Sequence, residues 1–71
     1  MKAKKYMHNS PGDNFKVFVI AKKNFTNQWT TTTLENARKS IKLFFKECKY
    51  PRNSAIIKDK NNKLLEEIIN N

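Results

Sequence analysis

Residues 32–48, "TTLENARKSIKLFFKEC", decide the fold. Leu34, Ala37, Ile41, Phe44, Phe45 and Cys48 recur there at spacings of three and four, which places them on one stripe of an α-helix. Just ahead, Thr32-Thr33-Leu34-Glu35 fits a T-x-x-E capping box, with the Thr32 hydroxyl accepting from a backbone N–H and Glu35 reaching back. Tyr50-Pro51 ends the pattern, because the residue before a proline avoids helical dihedrals. The rest of the chain must cover that apolar stripe.

Upstream, "FKVFVIAKKNF" is rich in β-branched and aromatic residues and has no helical period, so it reads as a strand. "KKNFTNQ" supplies a turn, with Asn24 and Asn27 suited to left-handed conformations, and "WTTTT" resumes extended structure. Downstream, Ala55 to Lys58 suits a strand and "DKNNK" a hairpin turn, with Asn62 in the role glycine often takes. Residues 64–69 fit either a fourth strand or a short helix, and the Asn-containing turn favours the strand. The expected fold is α+β: a small two-layer ββαββ domain over residues 15–71, with one helix packed on an antiparallel sheet. Residues 1–14, which include three lysines and the turn cluster "SPGDN", are expected to form a flexible basic arm.

One helix covers only one face of a sheet. Phe15, Val17, Val19 and Ala21 form the more continuous apolar set and are assigned to the helix side, against Leu34, Ile41 and Phe45. The alternate positions Lys16, Phe18, Ile20 and Lys22 place an apolar pair between two cations on the other face, where Ile56 and Lys58 can extend it. A second copy of the chain, lysine stems with the N-terminal segment, or an unpaired base stacked on Phe18 could each cover that pair. "NFKVFVIA" resembles the aromatic strand of the RNA-recognition motif, without that motif's glycines or its second aromatic strand.

Charge narrows the function. The formal net charge is +9, and residues 15–50 hold eight Lys/Arg against two Glu. Such a field favours polyanions. Thirteen Lys, two Arg and ten Asn also fit AT-rich codon usage, which enriches lysine without selecting for binding, but that bias does not deplete acids, and there are only six. On the helix, Arg38, Lys42, Lys46 and Lys49 line up on one side with Lys39 beside them. Like charges four apart cost roughly 0.2–0.5 kcal/mol each, so an ordinary solvated face would mix in acids. Lysine acts on phosphate as a point charge and is a poor reader of base edges, so backbone or shape recognition is the natural expectation. The candidate nucleic-acid contacts are Arg38, Lys39, Lys42, Lys46, Lys49, Lys22, Lys23 and Lys16, with Phe18 and Ile20 as an apolar interaction face.

The hairpin-then-helix order, with "TTTTLENARKSIKLF" at its junction, resembles the arm-type DNA-binding domains of phage and transposon recombinases over residues 15–48. That family usually has three strands before the helix, and two are expected here. The resemblance implies DNA contact, and small basic chains of this kind are also typical of phage and mobile-element accessory proteins that bind and block a host protein.

Other classes are disfavoured. His8, Ser10 and Asp13 could suggest a catalytic triad, but an arm would not hold them in register. Cys48 falls on the core stripe, no histidine lies beyond residue 8, and no Cys/His cluster has metal-ligand spacing, so no enzyme activity, cofactor or metal is expected. A lone cysteine and the lack of an apolar segment after the N-terminal lysines point to the cytoplasm, a host's if the chain is phage-encoded. The longest apolar run, Val17 to Ala21, is too short to span a membrane. The expected role is a small basic binding protein that contacts nucleic-acid phosphates, DNA or RNA, with weak sequence specificity. The alternative is a protein-interaction module directed at an acidic partner, and either could be a homodimer.

Overall fold

The computed structural model describes residues 2–21, 24–47 and 54–70. Strands β1 (Phe15–Ala21) and β2 (Asn24–Thr31) form a hairpin, helix α1 (Leu34–Glu47) follows, and β3 (Ser54–Asp59) and β4 (Leu64–Ile69) form a second hairpin. The sheet order is β2-β1-β3-β4, and every neighbouring pair is antiparallel. Since β2 and β3 both run against β1, they are parallel to each other, and such a crossover needs an element as long as α1 to make it. The result is the expected ββαββ arrangement, one helix on a four-stranded antiparallel sheet.

The two faces of β1 divide as the alternation requires. Val17 and Val19 are fully buried beneath the helix with Ala55 and Ile57 of β3, and Trp29 of β2 joins them. From α1 come Ala37, Ile41 and Phe44, with Leu34 and Phe45 of the helix and Ile68 of β4 partly buried at the margin. Phe44 lies 5.3 Å from Trp29, ring centre to ring centre. The indole Nε1 donates to Ser40 Oγ at 2.9 Å, and Ser40 donates to the Ala37 carbonyl at 2.7 Å, so the polar atoms of this core are paired.

Several local expectations change in detail. The helix cap is Thr33, not Thr32: the Asn36 N–H donates to Thr33 Oγ1 at 3.0 Å, and Glu35 pairs forward with Lys39 rather than back. With Leu34 as the first helical residue, Thr33 is the one whose hydroxyl reaches the third N–H of the helix. Asn24 and Asn27 lie in β2 instead of a turn. A bulge opposite Val19 and Ile20 takes in one extra residue, Thr26, and lets the ladder continue to Ala21 and Asn24. At the other hairpin, Asn62 does adopt the left-handed region, with φ of 66°. Asp59 closes that turn, its Oδ1 accepting from the N–H groups of Asn61 and Lys63. Residues 64–69 are strand. The expected helix end at Tyr50-Pro51, and Cys48, lie outside the described residues.

The N-terminal segment, expected to be an arm, is folded round the β2 edge. A 3₁₀ helix, Lys2–Tyr6, packs on α1 and buries Ala3 completely. His8 then pairs with Thr30 through two backbone bonds of 2.9 and 2.8 Å, occupying the outer edge of β2. Asp13 finishes the wrap on the far face of the sheet: its Oδ2 accepts from Thr30 Oγ1 at 2.8 Å and lies 3.3 Å from His8 Nδ1. Ser10 enters through its backbone N–H, which donates to Thr30 Oγ1 at 3.0 Å. His8, Ser10 and Asp13 thus do come together, around Thr30.

Candidate nucleic-acid interface

Helix α1 owes the position of its charges to its apolar stripe. With Ala37, Ser40, Ile41 and Phe44 against the sheet, Arg38, Lys39, Lys42 and Lys46 are turned to solvent. They do not behave alike. Lys39 is 3.3 Å from Glu35, one turn earlier on the same helix. Arg38 reaches across to β4 and grips Glu66, its Nε and Nη2 both on the carboxylate, the shortest contact being 2.8 Å. That fork, through its hydrogen bonds and then its charge, raises the proton affinity of Arg38, and its hydrogen bonds above all hold Glu66 below its ordinary value of 4.5. Lys42 and Lys46 are exposed, and no carboxylate lies within ion-pair distance of either among the described residues. Glu47, the acid next to Lys46, accepts instead from the backbone nitrogen of Lys2.

The three cations Arg38, Lys42 and Lys46 share a cleft of about 510 Å³ between α1 and β4, lined also by Phe45, Glu66 and Ile68. Phe45 and Ile68 are packed against the core and supply apolar wall, while the cations stand outward. A surface of this kind can hold an anion electrostatically and take an apolar group beside it.

The remaining sequence candidates are elsewhere. Lys16 is on the opposite face of the sheet, where its Nζ donates to Asn62 Oδ1 at 3.0 Å. Phe18 sits between Gln28 and Ile56 on that same face, with the Lys58 ammonium 5.5 Å from its ring centre, and Ile20 is half-buried beside Ser54. Lys22, Lys23 and Lys49 lie outside the described residues. The cations named from sequence that lie among the described residues therefore fall on two surfaces, one on each side of the sheet. The cleft itself is not marked in the sequence, because it needs β4 brought beside α1, with Glu66 meeting Arg38 across 28 positions, and no local pattern marks that approach.

Among the described residues no helix is long and apolar enough to cross a membrane, and no group of three or more His, Cys, Asp or Glu side chains could hold a metal ion. Scans against protein-family models, curated proteins and solved structures each gave no match for this chain.

Proposed function

We propose that this is a small, basic, non-enzymatic cytoplasmic protein that binds nucleic acid through its phosphates, using the exposed face of α1. One observation carries the reading: Lys42 and Lys46 stand one helical turn apart, exposed and without acidic partners among the described residues, beside Arg38. Two like charges in that position repel, and a phosphate chain relieves the repulsion. The net charge of +9 adds long-range attraction that does not depend on sequence.

Titration of labelled duplex and single-stranded oligonucleotides at two salt concentrations tests this. Binding should weaken steeply with salt, because each neutralised phosphate releases counterion. If neither strand type binds at low salt, the reading is wrong.

A second reading rests on a separate feature. Phe18, Ile20 and Ile56 form an apolar strip on the helix-free face, flanked by Lys16 and Lys58. An acidic protein partner would suit that surface. In that case Phe18→Asp abolishes partner capture while oligonucleotides are ignored throughout.

A further inference from the structure

Phosphate contact alone leaves the apolar walls of the α1–β4 cleft without a role. Phe45 and Ile68 are only partly buried, yet they stand directly beside the cations Lys42 and Lys46. The cleft, about 510 Å³, is open to solvent on its outer side, so a flat group could lie against its wall while the chain attached to it stays outside. Asn70, on its lining, offers an amide with both donor and acceptor atoms. Apolar wall, flanking cations and a few polar atoms at the rim match one chemistry well: an unpaired nucleobase with phosphates on either side.

We infer that the cleft seats one unpaired base of a single-stranded nucleic acid. The base lies against Phe45 and Ile68, and Lys42 and Lys46 hold the neighbouring phosphates. This rests on the phosphate-binding reading above and adds a strand preference to it. A duplex keeps its base faces stacked and can offer the cleft only its backbone, so it uses the lysines and not the walls. A single strand uses both. Lys42 and Lys46 are four residues apart on the helix, about 6 Å along its axis, a rise comparable to the spacing of adjacent phosphates in an extended strand. The third cation of the cleft, Arg38, is held by Glu66 on the same lining.

The test compares a fluorescent thymidine oligonucleotide with a duplex of equal length, against the full chain and its Phe45→Leu variant. The wild type should prefer the single strand by about tenfold, the scale of one base–aromatic stack. Phe45→Leu should erase the preference while duplex binding stays as it was, which also shows that the variant is folded. Equal affinity for both strands in the wild type overturns the inference and leaves the phosphate reading standing; loss of all binding removes both. Poly-glutamate serves as a control, and binding as tight as that of the single strand would overturn the inference as well. Should Phe45→Leu fail to fold, proton shifts in the wild type decide: single strand should move the Phe45 ring and Ile68 methyl signals. Shifts confined to Phe18 and Ile56 would put the base on the other face and overturn the assignment.

Discussion

The indole of Trp29 and the hydroxyl of Ser40 are hydrogen-bonded at 2.9 Å inside the core, and this bond ties β2 directly to α1. Both residues are buried, so neither has water as a substitute partner. Ser40→Ala leaves the indole N–H unpaired and should cost about 1–3 kcal/mol, read from the midpoint of urea unfolding. In a Trp29→Phe background the same serine change should cost much less, since the stranded donor is gone. Equal costs in the two backgrounds would mean that the bond contributes nothing.

Asn62 holds φ at 66° in the β3–β4 turn. A side chain with Cβ but no local hydrogen-bonding group is strained there by about 1–2 kcal/mol. Asn62→Ala should lose that much stability, together with the hydrogen bond from Lys16, whereas Asn62→Gly should lose much less. Denaturant titration of the pair of variants distinguishes backbone strain from side-chain loss.

The Arg38–Glu66 fork gives a pH dependence with a definite sign. Glu66 is held below 4.5, so the unfolded chain binds its proton more readily than the folded one. The fork therefore stabilises the fold above that value, and its contribution fades as pH falls through the folded-state range beneath it. Arg38 is exposed and Glu66 partly so, which keeps the effect small and salt-sensitive. Relative to wild type, Glu66→Gln should flatten the fall in unfolding midpoint on acidification below 4.5. A parallel pair of pH curves would show that the fork is not linked to folding.

The same substitution has a functional consequence. Glu66→Gln removes an acid from the cleft and releases Arg38, so oligonucleotide affinity at low salt should rise. Lys42→Ala with Lys46→Ala should act in the opposite sense. Affinity should fall, and the slope of log affinity against log salt should shrink by about 0.9 for each duplex phosphate no longer neutralised. Lys39→Ala, on a residue already paired with Glu35, should change either quantity less. Fluorescence anisotropy across a salt series measures all of these.

Local patterns in the chain predict its local structure well. The three-and-four spacing of α1, the alternation of β1 and the left-handed Asn62 each depend on neighbours within a few residues. The slip from Thr32 to Thr33 at the helix start has the same origin: in a run of threonines every candidate cap is chemically alike, and only the position of Leu34 in the fold selects one. What escaped sequence reasoning is non-local. Arg38 meets Glu66 across 28 residues, and Thr30 meets Asp13 across 17. A helix face read in isolation shows four cations in a stripe, yet the fold neutralises one of them, Arg38, with Glu66 of β4. Lys16, by contrast, lies on the other side of the sheet as the alternation of β1 requires.

The wrap of residues 8–13 round β2 bears on how copies of this chain meet one another. A sheet edge with free backbone groups invites another strand, and a sheet with two such edges can add neighbours on both sides without end. Here His8 occupies part of one edge, while β4 ends the other with no strand beyond it among the described residues and with Leu64, Leu65 and Ile69 exposed. Asp13→Ala should loosen that wrap, and its signature would be growth of light scattering with concentration as well as a lower unfolding midpoint. In polymer terms, the Asp13–Thr30 bond helps hold the His8 cap on one end of the sheet, and Asp13→Ala should turn that end into one that adds further strands.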